Sequence, residues 1–311
     1  MQVIRGLHNL RAEHRGCVAT IGNFDGVHLG HRAVFRHLHE KAQELGLPTT
    51  VVTFEPQPQE FFVPDRAPAR LTRMREKLQA LKEAGIDRVV LLEFNAKLAR
   101  MEAGAFVQEL LVEGLDVRYL LVGDDFRFGR DRQGDIQLLR QVALAHSFGI
   151  ENMNTFAVAE ERVSSTRIRE ALACGDLALA QEYLGRPYRI CVRVAPGDAR
   201  GRTIGFPTAN INLHRKVSPL KGVYAVRVYG LSDEAWLPGV ANIGNRPTID
   251  GDSRYLLEVH LFDFNRSIYG EHLQVEFCKK IRDERRFESF DALRQQIEHD
   301  ALAARDYFLA G

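Results

Sequence analysis

The sequence predicts an α/β domain with a parallel sheet, followed by a small antiparallel β-barrel that ends in a helix. Three observations predict it. The chain has 311 residues, enough for two domains of ordinary size. Its first half alternates β-branched apolar runs with stretches at helical spacing. After Gly185-Arg186-Pro187 the helices give way to short runs separated by turn residues. The boundary is placed there, which gives domains 1–186 and 187–311.

Composition narrows the class. Hydrophobic residues make up 45%, ample for two cores, and 42 basic against 41 acidic side chains leave a net charge of +1. The balance holds in each half: 24 basic and 25 acidic up to residue 186, then 18 and 16. Neither half is a basic polyelectrolyte, so nucleic acid is not an expected partner. Cys17, Cys174, Cys191 and Cys278 are scattered, which suits a reducing cytoplasm and shows no zinc-ligand spacing. No apolar leader opens the chain, and no apolar run approaches the ~18 residues a membrane span needs. The expectation is a cytoplasmic protein without a membrane partner, a monomer or weak homo-oligomer.

The first half reads in order as follows. Cys17, Val18 and Ala19 form a strand, and Gly22 and Gly26 permit a sharp turn into a helix. His28 and His31 are three residues apart, so they share a face of that helix's first turn. Backbone donors, imidazoles and the positive helix end together suit a phosphate group. A turn carrying two solvated histidines fits the same spacing. Residues 32–46 continue as a helix, and Thr49 to Phe54 is a buried strand. Prolines at 56 and 58 are expected to keep Glu55 to Phe62 irregular. A helix from about Thr72, a strand Arg88 to Phe94, a helix Ala103 to Glu113 and a strand Tyr119 to Val122 follow. Ile136 to Phe148 is helical, and Ile150 to Val158 is expected as one further strand.

Two polar stretches fall where such sheets bind ligands, beyond the strand C-terminal ends. Gly123 to Arg130 mixes acids, arginines and the rings of Phe126 and Phe128, which suit a flat ring system and phosphate; a charged solvated loop reads the same way. Ser164-Ser165-Thr166-Arg167-Ile168-Arg169 opens a helix; its hydroxyls serve as caps or, with the arginines, as a phosphate clamp. Class I-type nucleotidyltransferases pair a His-x-Gly-His turn with a Ser/Thr-Arg loop in this order.

In the second half, strands are expected at Tyr188–Val194, Thr208–Leu213, Gly222–Tyr229, Leu237–Ile243, Tyr255–Phe262 and His272–Ile281, with a closing helix from Phe290 to about Leu309. Gly197, Gly201 and Gly205 allow close backbone approach to a phosphate, although the stretch is neither a P-loop nor a dinucleotide fingerprint. Thr208 and Asn210 alternate onto one strand face and offer neutral oxygens suited to Mg²⁺. Glu258 and His260 alternate with Leu257, Val259 and Leu261. Alternation alone makes Glu258 an outward polar residue; as a carboxylate it also suits proton abstraction.

With these residues assembled, the chain closely resembles the bacterial bifunctional riboflavin kinase/FAD synthetase family. The matching elements are Gly22–His31, Phe54–Pro58, Val122–Gly129, Ser164–Arg169, Gly201–Asn210, Gly222–Tyr224, Asn242–Thr248 and Glu258. They span nearly the whole length, in order. The resemblance implies a Rossmann-like nucleotidyltransferase domain and a kinase barrel, both using ATP with Mg²⁺. The barrel would phosphorylate riboflavin to FMN; the first domain would adenylylate FMN to FAD and release pyrophosphate. By the same resemblance His28, His31 and Glu258 are catalytic. Gly22, Phe24, Asp25, Ser164, Ser165, Thr166 and Arg167 would bind ATP in the first domain, and Asp124, Phe126 and Phe128 would bind flavin there. In the barrel, Gly197, Gly201, Gly205, Pro207 and Asn242 would bind ATP, Arg282 flavin, and Thr208 and Asn210 the metal. The stretch Asp263 to Gly270 departs from the family, which is more acidic there and has leucine before the Tyr-Gly; Arg266 adds a positive charge.

Overall fold

The computed structural model describes residues 1–153, 157–158, 161–194, 208–213, 217–231, 236–247 and 253–310. For 157–158, 161, 208–212, 245–247 and 253–254 it describes the backbone alone. The chain packs as two compact units, Met1–Pro68 with Arg73–Ser164, and Ala69–Thr72 with Ser165–Gly311.

The first unit is a six-stranded sheet in the order β1-β4-β3-β2-β5-β6. Its strands are β1 (Gln2–Arg5), β2 (Cys17–Ile21), β3 (Thr49–Glu55), β4 (Arg88–Glu93), β5 (Val117–Gly123) and β6 (Gly149–Met153). Every pairing is parallel. Strands buried on both faces need apolar residues at every position, and β2 is buried throughout. Val18, Val51, Val89 and Leu121 face α1 (Leu29–Leu45) and α3 (Met74–Glu83), where Phe35, Leu38 and Leu81 close one core. Ala19, Val52, Val90 and Leu120 face the other side, packed on Phe106, Leu110, Leu111 and Leu139. These last come from α5 (Ala103–Phe106), its π-helical continuation Val107–Gly114, and α6 (Ile136–His146).

Two expectations need correction. The stretch after Glu55 is not irregular throughout, because α2 spans Pro58–Phe62 with the proline in its first turn, where the missing N–H costs nothing. Ile150 to Val158 is not one strand. β6 ends at Met153, and β7 (Ala157–Val158) turns away to pair antiparallel with β8 (Glu161–Arg162). A short helix α4 (Ala96–Ala99) and strand β1 were not foreseen.

The second unit contains the sheet β10-β13-β12-β11-β14-β9. Its strands are β9 (Arg189–Arg193), β10 (Thr208–Asn212), β11 (Gly222–Tyr229), β12 (Leu237–Pro247), β13 (Ser253–Leu261) and β14 (His272–Arg282). All neighbours are antiparallel, and the sheet curls into a half-barrel. Tyr224, Val226, Ile243, Leu257, Val275 and Phe277 fill its interior. The outer face presents Val223, Ala225 and Val240 to the terminal helix α9 (Phe290–Ala310), which buries Ala301 and Ala304 there.

Helices α7 (Ser165–Cys174) and α8 (Leu177–Leu184) belong to this second unit. They pack on each other, and α8 packs on β14. Tyr188 donates its hydroxyl to the Leu71 carbonyl at 3.0 Å, which holds residues 69–72 in the same unit. Division by packing therefore falls earlier than the change of strand pattern at residues 186 and 187.

Candidate active sites

The first site starts where β2 ends. Phe24 and Val27 sit at φ 47° and 43°, with Gly26 at 85°. A left-handed backbone is costly for a β-branched residue such as valine, on the order of 1–3 kcal/mol. Both strained residues bury their side chains in the core beside Phe35, which offsets that cost. The turn is thus pinned, and it delivers His28 as the N-cap of α1.

His28 is only 5% exposed. Its Nδ1 accepts the backbone N–H of His31 at 3.4 Å. A backbone amide can only donate, so Nδ1 is unprotonated and the neutral ring carries its proton on Nε2. The His28 and His31 rings stack at 3.6 Å between centroids, and Phe24 meets His31 edge-on at 5.1 Å. Gly30 leaves no room beside them. A Cβ there would lie 3.1 Å from the His28 ring and 3.4 Å from the Val163 carbonyl. The chain leading into Ser164 therefore runs alongside the first turn of α1.

The neighbouring strand β5 supplies the second motif. β2 and β5 pair directly, yet the chain leaves β2 for β3 on one side and reaches β5 on the other. This is the switch point where open parallel sheets hold ligands. Asp124 lies 3.7 Å and Asp125 3.2 Å from Arg162 of β8. Phe126 is half-buried and stacks on Phe128 at 5.4 Å. Phe128 itself is in the core, against Phe106. Gly22, Phe24, Asp25, His28, His31 and Ser164 thus share one unit with the β5 loop. Ser165, Thr166 and Arg167 stand on α7 in the other unit, where Arg167 pairs with Glu170 at 3.7 Å.

Sequence reasoning missed an aromatic group at the same end of the sheet. Phe94, just after β4, packs edge-on with Phe54, Phe61 and Phe62 at 5.6–5.8 Å. Phe62 is 60% exposed. The available signal was the phenylalanine pair after the prolines, but only folding brings Phe94 to it.

The second site is a row across five strands. Asn210 pairs with Glu258, Glu258 with Asn242, Asn242 with Val223, and Val223 with Arg282. Thr208 pairs with His260, two residues along the same row of faces. Leu257, Val259 and Leu261 are buried inside the half-barrel, whereas Glu258 and His260 are half-buried on its outer face. Residues that sequence places tens of positions apart become lateral neighbours. Gly197, Gly201, Gly205 and Pro207 lie outside the described residues. At the end of the row, Arg282 is held by Asp300 of α9, through Nη2 at 2.7 Å. In the departing stretch, Arg266 donates to the Leu231 carbonyl at 2.7 Å, so its guanidinium is engaged within its own unit.

Comparison with known proteins assigns both halves. The FAD synthetase family model matches residues 10–167, and the riboflavin kinase model matches residues 184–308. The bifunctional riboflavin kinase/FMN adenylyltransferase of Escherichia coli K12 is 53% identical over 309 residues, covering 99% of this chain and 98% of that one. The protein of the same description from Haemophilus influenzae is 53% identical over 308 residues, with 99% of each covered. The chain belongs to the bifunctional riboflavin kinase/FMN adenylyltransferase family. A solved structure titled a macrolide-efflux protein from Streptococcus pneumoniae shares the fold, with TM-score 0.80 and 30% identity over 98% of this chain and 99% of that one. Among the described residues here, no helix is long and apolar enough to cross a membrane.

Proposed function

We propose that this member of the family makes FMN and FAD at two separate sites. The chain is a bifunctional riboflavin kinase and FMN adenylyltransferase. The observation that carries the kinase assignment is the Asn210–Glu258–Asn242–Val223–Arg282 row, which gathers the residues the family resemblance selects.

In the kinase, Glu258 takes the proton of the riboflavin 5′-hydroxyl, and that oxygen attacks the ATP γ-phosphorus as ADP leaves. Phosphoryl transfer needs mostly positioning and charge stabilisation. Gly197, Gly201, Gly205, Pro207 and Asn242 hold the nucleotide, and Arg282 holds the flavin. Thr208 and Asn210 would hold Mg²⁺, which neutralises phosphate charge when bound. Among the described residues no group of three or more His, Cys, Asp and Glu side chains gathers to cage a metal. Few protein oxygens, with phosphate and water completing the shell, suit magnesium.

In the adenylyltransferase, an FMN phosphate oxygen attacks the ATP α-phosphorus and pyrophosphate leaves, so no protein nucleophile is needed. His28 donates from Nε2 to the α-phosphate, and His31 supports the same charge. Gly22, Phe24, Asp25, Ser164, Ser165, Thr166 and Arg167 hold the nucleotide. Asp124 and Phe126 contact the flavin, Phe128 backs Phe126, and the exposed Phe61 and Phe62 rings offer further flat apolar surface. The functional boundary stays at residues 186 and 187. The four free cysteines support a cytoplasmic setting, with the protein as a monomer or weak homo-oligomer.

The test is direct. The protein is incubated with riboflavin, ATP and Mg²⁺, and separately with FMN, ATP and Mg²⁺, and flavins are resolved by chromatography. FMN followed by FAD is expected from the first tube and FAD from the second. FAD from the second tube alone would remove the kinase role of the half-barrel.

A further inference from the structure

We infer that Gln296 and Asp300 of α9 position Arg282 for riboflavin, which makes the C-terminal helix part of the kinase site and not only a cover for the sheet. The inference rests on the reading that Arg282 contacts the flavin.

Asp300 is 4% exposed, beside Ala301 and Ala304 where α9 meets the sheet. A carboxylate so deep needs partners. Arg282 supplies Nε to both its oxygens, at 2.9 and 3.0 Å, and Nη2 to Oδ2 at 2.7 Å. Gln296, one turn earlier, donates to Oδ1 at 2.7 Å and accepts from Arg285. Arg282 Nη1 donates to the Asp283 carbonyl at 2.9 Å, and the Arg282 and Arg285 guanidiniums lie over the Phe287 ring at 5.7 and 5.0 Å. Residues 282–287 are therefore fastened to the helix at several points.

The other side of that segment meets the strands of the site. A Cβ on Gly222 would strike the Arg282 carbonyl, and one on Gly244 would strike the Glu284 carboxylate. The segment lies against β11 and β12 where Val223 and Asn242 continue the row to Glu258.

Anchoring alone does not call for charge. Apolar contacts from Ala301, Ala304, Tyr307 and Phe308 already seat α9, and a buried ion pair is often no more stabilising than an apolar pair of similar volume. What the pair adds is orientation. A bidentate fork fixes the plane of the guanidinium, and these bonds use three of its five N–H groups. The Arg282 side chain is 20% exposed, so its remaining edge is offered to a ligand in one defined direction.

The experiment uses the full chain with Asp300→Asn, Asp300→Glu and Arg282→Gln, and the combination of the first and third. Riboflavin KM, ATP KM and kcat are measured for the kinase, with FMN adenylylation as a check on folding. Asp300→Asn is expected to raise riboflavin KM roughly ten- to hundredfold, the scale of one charge-assisted hydrogen bond, with ATP KM little changed. Asp300→Glu recovers part of the loss, and the combined variant is no worse than Arg282→Gln. An unchanged riboflavin KM in Asp300→Asn, equal changes in both KM values, or additive losses in the combined variant would overturn the inference. If Arg282→Gln alone leaves riboflavin KM unaltered, the flavin role of Arg282 fails, and the inference with it. Should Asp300→Asn also lose adenylylation through misfolding, Gln296→Leu carries the same test with a smaller shift. Should the unaltered chain phosphorylate nothing, the kinase reading falls. Quenching of riboflavin fluorescence by the unaltered chain and Asp300→Asn then decides the inference, equal affinities counting against it.

Discussion

Asn242 and Glu258 face each other across β12 and β13, and Asn210 faces Glu258 from the opposite side. That flanking places a carboxylate between two amide-bearing positions on the outer face of the half-barrel. Glu258→Gln keeps the shape and removes the proposed base. It is expected to lower riboflavin phosphorylation by about 10²–10⁴-fold while FMN adenylylation persists. Loss of both activities from a folded variant would contradict the assignment of separate sites.

His28 belongs to the site proposed at the other sheet. Its Nδ1 accepts the His31 amide, so the neutral ring carries its proton on Nε2, the nitrogen that can donate. Removing one preorganised donor costs on the order of 3 kcal/mol of barrier, about a hundredfold or more in rate. His28→Ala should therefore lower FAD formation by about a hundredfold or more and leave FMN formation from riboflavin intact. Chromatography of both reactions from one preparation checks this; FAD appearing at the unaltered rate would refute the role.

Much of this was legible in the sequence, and the exceptions have physical reasons. α1 and β3 carry strong local periodicity, so their places were clear. β1 was missed because it lies at the sheet edge, where only Ile4 is buried and no apolar run forms. α2 was missed because a proline was read as a breaker, although the first turn of a helix tolerates it. The histidine turn is local, and three-residue spacing announced it. The row on the half-barrel is not local, because only strand register brings Asn210, Glu258 and Arg282 into line. Nothing in sequence distinguishes Asp300 from the solvated polar residues of a long helix; burial does.

Gly30 provides a steric test of the first site. A methyl group there would meet the His28 ring at 3.1 Å, closer than ordinary contact, and the Val163 carbonyl at 3.4 Å, at its limit. The backbone carbonyl has little freedom to yield, so the ring must move. Alanine also favours helix over glycine, which supports folding of α1 itself. Gly30→Ala should thus lower kcat/KM for FAD formation by about tenfold or more, without a fall in thermal midpoint, since small displacements of a catalytic group are costly. An unaltered kcat/KM would show that the close fit around His28 is not needed.

His37 links α1 to the edge strand β6. It lies 2.9 Å from Glu151 and 3.0 Å from Glu40, and Tyr119 donates to Glu151 at 2.8 Å. Its bond to Glu151, helped by Glu40, holds the His37 pKa above the ordinary 6.5. The same bond, with that from Tyr119, holds Glu151 below the ordinary 4.5. A raised histidine adds stability that is complete below its unfolded value and disappears as pH rises through the folded one. A lowered carboxylate adds stability above its unfolded value, lost as pH falls through the folded one. The pair contributes most between 4.5 and 6.5. His37→Gln should therefore lower the thermal midpoint more at about pH 6 than at about pH 9, because the histidine's contribution fades as pH rises above its raised value. Melting curves of the two proteins at both pH values check this, and an equal difference at each would mean that the ion pair adds nothing to the link between α1 and β6.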